Sequence, residues 1–236
     1  MISIVVPTYN ERKNLEELVE RISKTLNNAS LSFELIIIDD NSPDGTGELA
    51  EGFKKKFNIA VLHRKGKKGL ASAVLDGFKI AKGDIFCVMD ADLSHPPEVI
   101  PRLYEAIKSE KAEIAVGSRL VAGGGSTDWP WYRKIVSYVA RAFARPLTNV
   151  KDSTSGYFMV KKSVIEGVAL SPIGFKILLE ILAKGNYNKA TEVPIVFANR
   201  EGGESKLGTK EIFEYLKQAS MLYIDMLQGK IKRKGR

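Results

Sequence analysis

Short apolar runs that each stop at polar or acidic residues dominate the first half of this sequence. Ile2 to Val6 ends at Pro7, Phe33 to Ile38 at Asp39-Asp40, and Ile85 to Met89 at Asp90. Asn58 to Leu62 and Ile114 to Val116 are two more runs of this kind. Runs that are apolar on both faces suit buried strands of a parallel sheet. Between them, apolar residues recur at helical spacing. Leu15, Leu18, Val19 and Ile22 follow Asn10, a suitable helix cap; Leu70, Val74 and Phe78 share one side of Gly69 to Ala81. Ser42-Pro43 and Pro96-Pro97 read as helix starts. The alternation predicts an α/β fold, a mostly parallel central sheet flanked by helices, with right-handed crossovers.

An open sheet of this kind binds ligands outside the carboxyl ends of its strands. Thr8 to Glu11, Asp39 to Asp44 and Asp90 to His95 collect there. The second half is less regular. Val121 to Asp128 is glycine-rich and reads as a mobile loop, with Gly123-Gly124-Gly125 as an acceptor-side lid. Trp129 to Leu147 reads as helix, Ser155 to Val160 as strand, Phe175 to Ala183 as helix, Thr191 to Phe197 as strand and Arg200 to Gly208 as loop. Ile212, Tyr215, Leu216, Ala219, Leu222, Tyr223, Met226 and Leu227 form the stripe of an amphipathic helix, read first as core packing. The expectation is one domain over 1–229, with a nucleotide- and metal-binding half (1–120), an acceptor-binding half (121–229) and a basic tail (230–236).

Charge narrows the functional classes. The 236 residues carry a net charge of +8, but Lys230 to Arg236 hold five positive charges, leaving +3 elsewhere. The acidic strand ends would repel a nucleic-acid backbone, and no nucleic-acid-binding motif is present. A single cysteine, Cys87, excludes an internal disulfide and a four-cysteine zinc site. No run of 18 apolar residues is present, so nothing in the sequence reads as a membrane span. No glycine spacing matches a dinucleotide fingerprint or a Walker A loop.

Asp90-Ala91-Asp92 is the strongest site signal. Two carboxylates at a strand end can both reach one hard cation, and Mg²⁺ or Mn²⁺ shares such ligands with substrate phosphates. The alternative is a pair of acids capping a turn. Asp39 and Asp40 could accept hydrogen bonds from a nucleobase or ribose, with Pro7, Tyr9 and Glu11 completing the pocket. Lys65, Lys67 and Lys68 precede Gly69, where helix amides also favour phosphate. Arg119 follows the fifth strand and offers a planar donor fork suited to phosphate.

Ile4 to Glu11, Asp39 to Thr46 and Asp90 to Asp92 together resemble the inverting GT-A glycosyltransferases of family 2. The chain is most similar to dolichyl-phosphate (polyprenyl-phosphate) mannose synthases. That similarity rests on Asp90 to Glu98, Ser155-Gly156-Tyr157-Phe158, Gly174 to Glu180, and Arg200 through Gly203 to Leu207, and covers nearly the whole chain. It implies a GT-A fold and transfer of mannose from GDP-mannose to dolichyl phosphate with release of GDP.

By the same resemblance, Pro7, Tyr9, Glu11 and Asp40 would hold the guanosine, and Asp90 and Asp92 a Mn²⁺ or Mg²⁺ ion on the diphosphate. Arg119 would face the diphosphate or sugar. Arg133, Ser137, Arg200 and Lys206 would approach the acceptor phosphate, with Arg133 and Arg200 counted beside Asp92 and Arg119 as catalytic. Relatives often carry glutamine where this chain has Ser94, so a water would complete the metal shell beside the shorter serine. Asp152 is an auxiliary candidate, and His95 a residue that could orient the metal loop.

Trp129, Trp131 and Tyr132 stand beside Arg133 and Lys134, a pairing that suits a lipid headgroup layer. Ile135, Val136, Val139, Ala142 and Phe143 follow as either a membrane-facing stripe or an internal face. The expectation is a peripheral protein at the cytoplasmic face of a membrane, with a transmembrane partner or a further C-terminal transmembrane region possible. Two other readings stay open at this stage. One is a polyprenyl-phosphate glucosyltransferase or other UDP-sugar enzyme; the other is a non-enzymatic nucleotide- or nucleic-acid-binding protein.

Overall fold

The computed structural model describes residues 1–66, 69–109, 111–126, 131–171, 173–174, 176–198 and 209–231, with backbone alone for 131–137 and 209–211. Lys67, Arg200 and Lys206 lie outside the described residues, as do the side chains of Arg133 and Ser137.

The chain alternates β1 (Ile2–Thr8), α1 (Arg12–Asn28), β2 (Phe33–Asp39), α2 (Thr46–Phe53), β3 (Ile59–His63), α3 (Leu70–Ile80) and β4 (Ile85–Val88). A short 3-10 turn leads into α4 (Ile100–Ser109) and β5 (Ile114–Ser118). Then come β6 (Gly125–Ser126), α5 (Trp131–Ala144), β7 (Phe158–Lys161), α6 (Lys162–Ile165), α7 (Ile177–Lys184), β8 (Ala190–Pro194), β9 (Val196–Phe197) and α8 (Thr209–Leu227). Seven strands form one sheet in the order β3-β2-β1-β4-β7-β5-β8. Only β7 runs antiparallel to its neighbours.

Strand residues alternate between two cores. Ile4, Val6, Leu35, Ile37, Cys87 and Met159 meet Leu15, Leu18 and Ile22 of α1 and Leu103 of α4. Val5, Ile36, Ile38, Phe86, Val88 and Phe158 meet Val74 and Phe78 of α3 and Leu178 and Ile181 of α7. β1, β2, β4 and β7 are therefore covered on both faces, which is why their sequences show no regular polar alternation. Burial in that core pushes the Cys87 thiol pKa up, so the thiol stays protonated and inert.

Several local expectations change. Asn10 does not cap α1: it adopts φ +60°, and Glu11 takes the cap position. Ser42-Pro43 does not start α2, which begins at Thr46 after Gly45 at φ +83°. Both shifts have one cause: the Ser42, Asp44 and Thr46 side chains bond the turn after β1. They take the N–H groups of Asn10, Arg12 and Glu11 respectively, at 3.0, 3.1 and 3.0 Å. The glycine-rich stretch is built in as far as Ser126. β6 pairs with β9, and a Cβ on Gly124 would stand 2.5 Å from the Ser118 carbonyl oxygen.

The C-terminal stripe splits. Tyr215, Ala219 and Leu222 pack with Leu179 and Ala183 of α7 and with Ala144 and Leu147. Ile212, Leu216 and Leu227 are exposed, as are Phe213, Met221 and Ile224. On α5, Tyr138, Val139 and Phe143 are exposed too. No described helix is long and apolar enough to cross a membrane.

Candidate active site

Strand order reverses at β1. β1 pairs with β2 on one side and β4 on the other, but pairing with β4 stops at Val5 and Val88. Pro7, two residues later, lies past that ladder, so its missing N–H costs no bond with β4. Such a switch point is the expected ligand crevice of an open α/β sheet. Pro7, Tyr9 and Glu11 stand at its β1 edge. Glu11 accepts a hydrogen bond from Asn14 at 3.0 Å.

Asp40 is engaged by the protein itself. One carboxylate oxygen accepts from Arg64 Nη1 and the other from the Gly69 N–H, each at 2.8 Å. Arg64 also donates to Ser72 Oγ at 2.6 Å and lies 3.1 Å from the Asp76 carboxylate. The amide expected to greet a phosphate at the start of α3 is therefore committed to Asp40. Asp39 is turned inward as well, accepting from the Ser42 N–H at 3.1 Å and from its hydroxyl.

The Asp90–His95 loop forms the centre of the site. Leu93 adopts φ +60°, costly for a bulky residue by about 1–3 kcal/mol. Its side chain is held in the first core, and the turn lets the Asp92 carboxylate accept from both the Ser94 N–H and its hydroxyl. Ser94 thus braces Asp92. His95 is 2% exposed, lies over Tyr157 with centroids 5.1 Å apart, and meets Phe197 edge-on at 5.4 Å. Burial lowers the His95 pKa, and Arg119 and Lys176 add to the effect against the pull of Asp90 and Asp92. The neutral ring accepts the Asp90 N–H at Nδ1, 3.0 Å away, which puts its proton on Nε2.

The strand β7 delivers Ser155-Gly156-Tyr157 to this loop because Phe158 pairs with Val88. The Tyr157 hydroxyl donates to the Pro96 carbonyl at 3.0 Å, and Ser155 Oγ to the Gly117 carbonyl at 2.7 Å. These bonds tie the β5 end to the acidic loop. A Cβ on Gly156 would stand 3.1 Å from one Asp90 carboxylate oxygen and 3.4 Å from the other. The glycine leaves room beside that carboxylate.

Arg119 is held by Asp152. Its Nε and Nη2 donate to the two carboxylate oxygens at 2.8 and 2.7 Å, and its backbone N–H adds a third bond at 3.0 Å. Its guanidinium carbon lies 5.5 Å from the centre of the Phe197 ring. Asp152 has no exposed surface. Burial raises its pKa, but the hydrogen bonds and charge of Arg119 outweigh this and hold it below the usual carboxylate value.

Comparison with known proteins fits this geometry. The sequence profile described as glycosyl transferase family 2 matches residues 3–168. The chain belongs to that family. It is 53% identical over 220 residues to the dolichol-phosphate mannosyltransferase of Pyrococcus furiosus, covering 92% of this chain and 62% of that relative. The chain thus spans less than two thirds of that relative's length. It is 40% identical to the Saccharomyces cerevisiae dolichol-phosphate mannosyltransferase, over 94% of this chain and 86% of the relative. The membership therefore extends to the dolichol-phosphate mannosyltransferases within the family. Among solved structures, glucosyl-3-phosphoglycerate synthase from Mycobacterium tuberculosis, in complex with Mn²⁺, UDP-glucose and phosphoglyceric acid, matches with a TM-score of 0.68. That match has 18% identity and covers 93% of this chain and 80% of the other, and it shows the shared GT-A fold.

The residues of the Asp90–Asp92 loop fit a divalent cation. Asp90 and Asp92 offer hard oxygen ligands, and Gly156 leaves space beside Asp90. An ion of the Mg²⁺ or Mn²⁺ type takes one or two carboxylates and completes its shell with substrate phosphates and water. Arg64 and Phe197 were not singled out in the sequence. An arginine closing an apolar strand pattern was a signal for the first; nothing local marked the second.

Proposed function

We propose that this chain transfers mannose from GDP-mannose to dolichyl or polyprenyl phosphate, with inversion at the anomeric carbon and release of GDP. The observation that carries the reading is the pair Asp90 and Asp92 at the end of β4, linked through His95 and Phe197 to the anchored Arg119, in a chain 53% identical to a dolichol-phosphate mannosyltransferase. Asp90 and Asp92 would hold Mn²⁺ or Mg²⁺, which when bound stabilises the leaving diphosphate. Pro7, Tyr9 and Glu11 line the nucleoside edge, with Asp40 behind them as part of the wall and Lys67 toward the phosphates. Arg119 screens the donor, while Arg133, Ser137, Arg200 and Lys206 receive the acceptor phosphate. A phosphate acceptor is already ionised at neutral pH, so it needs no strong general base. The work left for the protein is placement and charge screening.

Residues 1–120 would then form the donor half and 121–229 the acceptor half. The exposed apolar residues of α5 and α8 support peripheral contact with a membrane, proposed to be its cytoplasmic face, where the lipid acceptor would be met. The test is transfer from GDP-mannose, UDP-glucose and UDP-N-acetylglucosamine to a polyprenyl phosphate, with Mn²⁺, Mg²⁺ or chelator. GDP-mannose should be the working donor, and NMR should show a β-linked product. An α-linked product, or preference for a UDP-sugar, would overturn the reading. The Asp92→Ala variant should lose about 10²-fold or more in kcat, since one ligand position supplies several kcal/mol of charge stabilisation. Loss of the two Ser94 hydrogen bonds should lower its melting temperature, but circular dichroism should show the fold retained.

A further inference from the structure

The loop from Lys151 to Ser155 is anchored from several directions, and what it presents is one buried carboxylate. The Lys151 and Asp152 N–H groups donate to the two carboxylate oxygens of Glu192 on β8, at 2.9 and 3.1 Å. Lys176 Nζ donates to the Thr154 carbonyl at 2.7 Å. The Ser155 N–H bonds the Asp152 carbonyl at 3.1 Å. These contacts fix Asp152 before it meets Arg119. Asp152 then takes Arg119 by Nε, Nη2 and the backbone N–H. Two of the three guanidinium nitrogens point to one residue, which fixes the guanidinium plane and its direction.

On the other side, Phe197 lies against the guanidinium and meets His95 edge-on, and His95 holds the Asp90 N–H. A continuous path of packed and hydrogen-bonded groups therefore runs from Glu192 through Asp152, Arg119, Phe197 and His95 to Asp90. A long arginine at a loop would otherwise lose considerable rotamer freedom on engaging a substrate. Here most of that ordering is complete in the folded protein, which is the preorganisation that transition-state charge stabilisation requires.

We propose that Asp152 is a positioning residue for the transfer reaction, acting through Arg119 by fixing the direction from which its guanidinium meets the donor diphosphate. The inference rests on the proposed mannosyl transfer and on Arg119 facing the donor. Asp152 itself touches no reacting atom. Its buried carboxylate also lowers the net charge of the arginine's surroundings, so its effect on rate is one of geometry and opposes simple gain of positive charge. Removing the carboxylate leaves a stronger local positive field but an undirected arginine. A field-only role predicts equal or tighter nucleotide binding and a retained rate, whereas a positioning role predicts a lost rate.

The experiment uses the full chain and four variants: Asp152→Asn, Asp152→Glu, Arg119→Ala and the Asp152→Asn/Arg119→Ala double. Each is measured for thermal melting, for GDP binding with Mn²⁺ by calorimetry, and for kcat and KM in mannose transfer. Displacing a positioned group by about 1 Å costs up to about 10²-fold. Asp152→Asn should lower kcat by roughly that factor with GDP affinity unchanged or tighter. Asp152→Glu keeps the charge but moves it, and should fail to rescue the rate. In the Arg119→Ala background the Asn substitution should cost nothing further, because the residue it acts through is gone. A rate retained in Asp152→Asn, a full rescue by Asp152→Glu, or losses that multiply in the double variant would each overturn the inference. If Asp152→Asn does not fold, Asp152→Glu decides alone: retained rate overturns the inference, lost rate with unchanged GDP binding supports it. Failure of the parent chain to transfer mannose would instead overturn the functional reading.

Discussion

Arg64 and Asp40 form a buried ion pair at 2.8 Å that joins the ends of β2 and β3 to the start of α3. The two side chains are only 3% and 6% exposed. The pair closes the end of β2 onto the start of α3, and it explains why Asp40 sits at a strand end with both carboxylate oxygens engaged by the protein.

Breaking that pair should be expensive, because removing one partner leaves the other buried and uncompensated. Arg64→Met should lose about 3–5 kcal/mol of stability in urea unfolding. GDP affinity measured by calorimetry should fall with it, since Gly69 is held through Asp40. Wild-type unfolding in this variant would show that the pair carries no net stability.

Two glycines should separate stability from chemistry. A Cβ on Gly77 would stand 2.5 Å from Val5 Cγ1, where α3 lies on the sheet. Gly77→Ala should lower stability by about 1–3 kcal/mol through overpacking, leaving activity well below the melting temperature unaffected. Gly156→Ala should do the opposite. Its Cβ would press on Asp90 and the His95 ring rather than on core, so Mn²⁺ titration should show weakened metal binding with melting little changed.

The Asp152–Arg119 pair predicts a pH signature. Arg119 holds the Asp152 pKa below the usual 3.8, so the folded state favours the carboxylate. The stability this gives is fully present above 3.8 and is lost as pH falls through the lower folded value. The stability gap between the parent and Asp152→Asn should therefore be flat near neutrality and shrink below pH 3.8. A gap that shrank as pH rose from about 5 to about 8 would contradict the sign.

The exposed residues of α5 and α8 predict membrane binding without a structural cost. Phe213 and Leu227 are 70% and 83% exposed. Replacing both by Ser should change stability by no more than about 0.5 kcal/mol each. Flotation with vesicles containing anionic lipid should nonetheless drop markedly. Undiminished flotation would place the contact elsewhere.

Much of the fold was legible because strand burial is written locally. The runs of β1, β2, β4 and β5 carry apolar residues on both faces, interrupted inside only by Ser3 and Glu34, which bond each other at 2.6 Å, and that pattern requires cover on both faces. The acidic ends of those strands were legible for the same reason, since a polar residue next to a buried run must lie at the sheet edge. Boundaries were less legible where side chains bond a neighbouring loop. Ser42 and Asp44 carry helix-start chemistry, but they satisfy the turn at Asn10 to Arg12 instead, and α2 waits until Thr46.

The sequence by itself determined an α/β sheet, a carboxylate pair at a strand end and a family resemblance spread over most of the chain. The tertiary structure decided which of the charged residues are engaged and by whom. It inserted β7 antiparallel between β4 and β5, and so carried Gly156 to Asp90. It closed Arg64 on Asp40 across 24 residues and Arg119 on Asp152 across 33. Periodicity records what each residue needs from its surroundings, either water or cover. It does not record which distant group supplies a counter-charge, because that depends on chain crossings whose partners are far apart in sequence.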